Sequence, residues 1–342
     1  MAETFLVTGG AGFVGSHCVL ALLARGHRVI VLDDLSTGHA AAVPEAAVLV
    51  RGRADDPEAL RRVFALGPID GVLHFAALSL VGDSMREPYR YMAENARVGL
   101  ALIEAAVAHG VTRFVLSSTA ALFGNPRRIP IDEDEPIDPG SPYGESKAWL
   151  ERALLWAERI HGLKSASLRY FNAAGADPEG RLGEDHRPET HLIPLVLDAV
   201  AGRRPPLTVF GDDYDTPDGT CIRDYIHVAD LATAHLLALE AIRERSVRYN
   251  LGNGQGHSVR EVIAAAERVT GRKVPHVIGP RRPGDPPALV ASSDRIRREL
   301  GWTPRFPDLD TIIAHAWAWR QANPDGYGSR ASAAASGPGM AR

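Results

Sequence analysis

Apolar residues recur along the first half of the chain in short runs, separated by helix-length stretches with a single apolar face. The runs at 4–8, 28–32, 47–51, 71–75 and 113–117 predict strands, and the stretches at 12–25, 57–64 and 93–109 predict helices. Strands and helices alternating on this rhythm predict a parallel, doubly wound α/β sheet. Beyond about residue 170 the rhythm loosens, and loops rich in Gly, Asp and Pro occupy 175–188, 211–219 and 279–287. This half reads as a smaller α/β domain spanning 173–328, after a first domain at 1–172, with segments near 224–250 returning to the first sheet. The stretch 329–342 is rich in Ala, Ser and Gly and too poor in apolar residues to pack, which predicts a disordered tail. No internal repeat is present.

Composition narrows the classes. At 342 residues and 45% hydrophobic, the chain can bury a large core. Its net charge of -4, with both signs interspersed, gives no pull toward nucleic acid or an anionic membrane, so neither is expected as a partner. Cys18 and Cys221 stand far apart without metal-binding spacing, which predicts reduced thiols and no metal site. The start MAETFLVTGG has no basic and apolar leader pattern, and no stretch approaches a membrane span, so a soluble cytoplasmic protein is expected.

Two motifs bring chemistry. Gly9, Gly12 and Gly15 form G-x-x-G-x-x-G between the first strand and the first helix. A tight turn, close approach to a pyrophosphate and helix-on-strand packing each require a residue without a side chain. Asp33 ends the second strand 18 residues after Gly15, where a carboxylate would bind adenosine ribose hydroxyls. Asp34 follows, and the pair would repel a 2′-phosphate, so a Rossmann-type NAD site is expected rather than NADP. A solvated strand-end turn is the plain alternative for Asp33.

Tyr143 and Lys147 form Y-x-x-x-K, which on a helix places both on one face. A tyrosine of pKa ~10 acting as a base near pH ~7 needs about 4 kcal/mol of phenolate stabilisation. One ammonium at about 4 Å in a moderately screened site supplies about that much. Thr119, just past the strand at 113–118, lies at the end where ligands of doubly wound sheets gather. Its hydroxyl could relay a proton from a substrate hydroxyl to Tyr143. Singly, the tyrosine and lysine are ordinary helix-surface residues and the threonine an ordinary cap.

With these residues in place, the chain resembles the extended short-chain dehydrogenase/reductase superfamily. The segments LVTGGAGFVGSH, HFAA, LSSTAALFG, SPYGESK, RYFNAAGA, FGDDYDTPDGTCIRDYIHV, YNLG and RRPGD are similar to those of its UDP-glucose 4-epimerase family, over roughly 5–319. The resemblance implies catalysis by Tyr143, Lys147 and Thr119, with NAD held throughout. Gly9, Gly12, Phe13, Val14, Gly15, Asp33, Asp34, Ser36, Phe75, Ala76, Ala77, Asn95, Ser117, Tyr143, Lys147 and Tyr170 would surround the cofactor. A UDP-sugar would meet Thr119, Tyr143, Phe171, Asn172, His191, Leu192, Phe210, Arg223, Tyr225, Arg282 and Asp285. The resemblance also implies a homodimer through helices that include 93–109 and 147–161.

Departures from the family pattern are specific. Arg53 stands where many members have an adenine-contacting Asp, which Asp55 or Asp56 could replace, and Arg53→Asp is expected to tighten NAD retention. Ser79 replaces a lysine, Glu94 and Arg97 replace asparagines, and His191 replaces an asparagine at the diphosphate. Leu289 lies near a gate position, where tyrosine restricts the pocket to plain hexoses and smaller residues admit N-acetyl sugars. Leucine there is equally a packing residue. Ala120 and Ala121 follow Thr119 where a 4,6-dehydratase carries Asp-Glu, which argues against loss of water. Epimerases of UDP-xylose/UDP-arabinose, UDP-N-acetylhexosamines or UDP-glucuronate remain alternatives. A catalytically silent sensor of NAD or nucleotide sugar is the non-enzymatic one.

Overall fold

The structure is a computed structural model that describes residues 2–282 and 285–328. The expected tail lies outside these residues. Strands β1 (Thr4–Thr8), β2 (Arg28–Asp33), β3 (Val48–Arg51), β4 (Gly71–His74), β5 (Arg113–Thr119) and β6 (Lys164–Tyr170) build most of a seven-stranded sheet. Between them run helices α1 (Phe13–Ala24), α2 (Pro57–Phe64), α3 (Val81–Arg86), α4 (Pro88–Ala108) and α5 (Pro142–His161). Pairing is parallel throughout, as the alternating pattern requires.

Helix α4 begins five residues before the sequence pattern places it, because Pro88 occupies its first turn and has no amide to leave unpaired. Helix α5 starts at a Ser141 cap whose hydroxyl accepts from the Gly144 amide, again with Pro in the first turn, and stops at Gly162 in the left-handed region. That well-defined start fixes the rotation of α5, and with it the direction of Tyr143 and Lys147.

The second half contributes β7 (Asn172–Ala174), α6 (Leu192–Val200), β8 (Leu207–Phe210), β9 (Ile222–His227) and α7 (Val228–Ala241). It continues with β10 (Val247–Leu251), β11 (Gly256–Ser258), α8 (Val259–Thr270), β12 (His276–Gly279), β13 (Ala288–Leu289), α9 (Asp294–Leu300) and α10 (Leu309–Ala322). The segment expected to rejoin the first sheet divides. Strand β9 pairs with β7, β11 and β13 in a separate sheet, whereas β10 joins β6 and completes the order β10-β6-β5-β4-β1-β2-β3.

Apolar side chains cover both faces of the large sheet. One face packs β1, β2, β5 and β6 against α1 and α7, through Phe5, Val7, Val31, Leu22, Leu236 and Leu239. The other packs Leu6, Ile30, Phe114 and Leu116 against Leu60, Leu102, Leu150 and Leu154 of α2, α4 and α5. A third cluster, around Val196, Leu197, Val262 and Ile313, holds α6, α8 and α10 together in the second half. Burial on this scale anchors the rims where the strands end. Among the described residues no helix is long and apolar enough to cross a membrane.

Candidate active site

The C-terminal ends of β1, β4, β5 and β6 bring the expected cofactor residues to one rim. Gly9 has φ +72, and a Cβ there would lie 2.5 Å from the Ala76 amide nitrogen, so only glycine lets β1 turn against the end of β4. A Cβ on Gly15 would lie 2.2 Å from the Gly9 carbonyl oxygen. The first turn of α1, at Gly12, Phe13, Val14 and Gly15, has no capping side chain and no acidic residue. Its amides and the positive helix end therefore face an open cradle suited to a pyrophosphate.

The Asp33 carboxylate closes this cradle from the side, accepting from the Ala11 amide at 3.0 Å and the Leu35 amide at 2.9 Å. Burial raises its pKa, and those amides oppose the rise. Asp34 accepts from the Ser36 amide at 2.9 Å. On the far side, the Phe75 and Ala76 amides both donate to the Thr8 carbonyl, and Ala77 continues the loop. Asn95, 2% exposed, accepts from the Leu78 amide and donates to the Leu78 carbonyl and to Ser146. It thus ties the loop after β4 to α5. That is a fastening role, which sequence alone does not distinguish from a direct contact.

The catalytic candidates converge at the end of β5. Thr119 is the last residue of that strand, and its hydroxyl oxygen accepts from the Ala121 amide at 3.1 Å. The Tyr143 phenol faces the Thr119 hydroxyl, and burial pushes its pKa up to about 12 against the opposing pull of that hydroxyl. Lys147 shares the helix face, but its ammonium donates to the Ser117 carbonyl at 2.8 Å. Burial lowers the Lys147 pKa to about 8, opposed by the Glu151 carboxylate one turn on. The Lys147 ammonium is thus bonded to a backbone carbonyl of β5 rather than to the phenol. The expected role of Tyr143 as a base would call for further positive charge beside it, such as NAD⁺ carries.

Behind this trio lies a buried network that sequence reasoning missed. Glu151 accepts from Ser118 at 2.7 Å and from Arg169 at 3.0 and 2.6 Å. The spacing Tyr143, Lys147, Glu151 repeats every four residues on one helix face, a signal present in the sequence. Tyr170, at the end of β6, is hydrogen-bonded to the Ser117 hydroxyl, and its ring sits 5.9 Å from His235.

The expected substrate residues form two groups. Phe171 and Asn172 follow β6, with Asn172 opposite Tyr225 in the β7–β9 pair. On β9, two residues before Tyr225, Arg223 is ion-paired with Asp285 at 2.5 Å, and the Arg282 guanidinium stacks 4.1 Å over the Phe210 ring. An aromatic face, two guanidinium groups and a carboxylate thus gather at one place, from segments up to 75 residues apart (285 - 210). Leu289 packs with Phe171, Leu122, Phe123, Ile131 and Ala148.

His191 caps the N-terminus of α6, just before Leu192. Its Nδ1 faces Glu184 at 2.9 Å and Glu189 at 3.1 Å. Arg53 is paired with Asp55 at 2.9 Å and Glu94 at 2.6 Å, and Arg97 also reaches Asp55 at 3.1 Å. Asp56 caps α2 by accepting from the Glu58 amide. The two acidic residues weighed as replacement adenine contacts are therefore engaged, one by two arginines and one by a helix start.

The parallel sheet, the glycine turn at its rim and the Tyr143/Lys147 face define a nucleotide-cofactor enzyme of the doubly wound class. Residues 5–252 match the sequence model of the NAD dependent epimerase/dehydratase family, and the chain belongs to that family. It is 50% identical over 324 residues to the UDP-glucose 4-epimerase of Halalkalibacterium halodurans, covering 94% of this chain and 97% of that protein. With the UDP-glucose 4-epimerase of Lacticaseibacillus casei it shares 48% identity, over 96% of this chain and 99% of the relative. The crystal structure of the Bifidobacterium longum UDP-glucose 4-epimerase in complex with NAD⁺ and UDP superposes with a TM-score of 0.90. That chain is 38% identical, with 95% of this chain and all (100%) of that one covered.

Proposed function

We infer that this chain is an NAD-dependent UDP-glucose 4-epimerase, an isomerase that inverts C4 of UDP-glucose and UDP-galactose through a transient 4-keto sugar. The observation that carries the reading at this site is the buried Tyr143 phenol facing Thr119 at the end of β5, beside the uncapped glycine turn. NAD held by the glycine turn and Asp33 would supply hydride acceptance and donation at C4 of the sugar. Tyr143 takes the C4 hydroxyl proton and gives it back, with Thr119 bridging phenol and sugar oxygen. Lys147 holds the Ser117 carbonyl in place and keeps a positive charge near the cofactor ribose. Phe210, Arg223, Arg282 and Asp285 grip the UDP, so that the keto sugar can swing about its diphosphate while both ends of the site stay fixed. The Ser/Thr-Ala-Ala sequence at 118–121 offers no acid pair for loss of water.

The domain division at about residue 172 and a cytoplasmic location belong to the same reading. A homodimer through α4 and α5 is supported by the exposed Leu100, Trp149, Trp156 and Ile160 on those two helices. A panel of UDP-glucose, UDP-galactose, their N-acetyl forms, UDP-xylose and UDP-arabinose, assayed with the NAD-loaded protein, tests the activity. Failure to interconvert UDP-glucose and UDP-galactose would refute it. Turnover of the N-acetyl forms alongside would assign Leu289 an open gate.

A further inference from the structure

The loop before α6 carries Glu184, His186, Glu189 and His191, an E-x-H-x-x-E-x-H pattern that a search centred on cysteines passes over. Its ligand-capable atoms all lie within 4.8 Å of one another. His186 Nδ1 is 3.3 Å from Glu184 Oε1 and 3.6 Å from Glu189 Oε2, and His191 Nδ1 is 2.9 and 3.1 Å from the two carboxylates. Four ligands held tetrahedrally at about 2.0–2.2 Å from a zinc ion stand about 3.3–3.6 Å apart along each edge. The two contacts of His186 Nδ1, at 3.3 and 3.6 Å, match that spacing, and the two of His191 Nδ1 are shorter.

A second observation points the same way. Glu184 is 5% exposed, and the buried Glu184 Oε1, His186 Nδ1 and Glu189 Oε2 are paired within the cluster, His186 Nδ1 to the other two at 3.3 and 3.6 Å. Two carboxylates and two imidazoles thus turn their polar atoms toward one point. Glu189 is held in position from behind, its Oε1 accepting from the amides of Thr190 and His191.

We propose that Glu184, His186, Glu189 and His191 form a binding site for a zinc-class divalent cation. Two imidazoles and two carboxylates suit zinc or cobalt, whereas calcium and magnesium favour all-oxygen sets. Two carboxylates neutralise the ion without further charge. Four protein ligands at one point make it a structural clamp rather than a Lewis acid with an open position. The clamp would span the two halves of the cleft, since the His186 ring lies 6.4 Å from that of Phe13 in the glycine turn and His191 starts α6.

The competing state is metal-free, with both imidazoles protonated and ion-paired to the two carboxylates. To separate them, the full-length, cofactor-loaded protein is freed of metal with a chelator and titrated with Co²⁺, then with Zn²⁺. One tightly bound Co²⁺, with the intense visible absorption of a tetrahedral site and displaced by one equivalent of Zn²⁺, is expected. His186→Asn and Glu184→Gln should each weaken binding by more than about 100-fold. Should a variant fail to fold, the imidazole ¹⁵N resonances of the unsubstituted protein give the same answer, with two Nδ1 signals moving on Zn²⁺ addition. No stoichiometric uptake, affinity unchanged in both variants, or unmoved imidazole signals would overturn the site and leave two imidazolium–carboxylate pairs.

Discussion

Lys147 and Tyr143 lie one helical turn apart, but the lysine ammonium is bonded to the Ser117 carbonyl at 2.8 Å while the phenol faces Thr119. The cation thus braces the strand from which Thr119 projects, and burial leaves the phenol protonated, with a pKa of about 12. The state of Tyr143 is then governed by what charge enters the cleft.

With NAD⁺ bound, the Tyr143 phenolate should appear at markedly lower pH than with NADH bound. A unit charge at about 4 Å in a moderately screened site is worth about 4 kcal/mol. Phenolate absorbance, taken as the difference between the unsubstituted protein and Tyr143→Phe, reads this directly. Identical titrations in the two redox states would show that the cofactor charge does not act on the phenol. Tyr143→Phe itself should lower turnover by about 10²–10⁴-fold while retaining bound NAD.

Glu151→Gln removes the carboxylate that holds the Lys147 pKa up against burial. The Lys147 pKa then falls below about 8, so the alkaline limb of the activity profile moves to lower pH. The same change strands Arg169, 1% exposed, without its partner, at a cost of about 3–5 kcal/mol. A lower melting temperature together with a shifted alkaline limb is expected. A lower melting temperature alone would make Glu151 purely structural.

Acid should destabilise the fold through buried imidazoles. Burial lowers His74 to about 3 and His235 to about 4, with 6.5 as the ordinary value for both. A histidine depressed in the folded state contributes stability that is complete above pH ~6.5 and disappears as pH falls through its folded pKa. Thermal melts should therefore drop between about pH 6.5 and 4, and His235→Phe should flatten that drop. The His235 ring already packs 5.0 Å from Phe75, so a phenyl ring is a reasonable replacement. A slope unchanged by the substitution would remove His235 from the account.

Arg53→Asp should loosen NAD retention, the reverse of what the sequence comparison leads one to expect. Arg53 sits between Asp55 and Glu94, and a third carboxylate there would repel both beside the end of β3. The NAD(H) absorbance that remains with the protein through gel filtration measures this. Tighter retention would restore the idea of a lost adenine contact.

The parallel sheet and its glycine turn were legible because each rests on local pattern: apolar runs, helix-length spacings and glycines at a strand end. The start of α4 at Pro88 was missed although its proline signal is in the sequence. The direction of the Lys147 ammonium was not legible, since the accepting Ser117 carbonyl lies 30 residues away on another element. The same holds for the Glu151–Arg169 pair and for the arginines gathered on Asp55. Charged side chains choose partners only after packing brings distant segments together. The Glu/His loop was hidden for a different reason, that its ligands are common surface residues with no spacing that marks them in isolation.

Strand β10 bears on how the chain is synthesised. Residues 247–251 lie in the second half, yet they cover the edge of β6, whose neighbouring positions Ala166 and Leu168 are fully buried. Until the ribosome has released residue 251, β6 presents unpaired amides and carbonyls to any passing chain, the arrangement that invites edge-to-edge aggregation. A fragment ending near residue 172 would therefore be born with an adhesive edge.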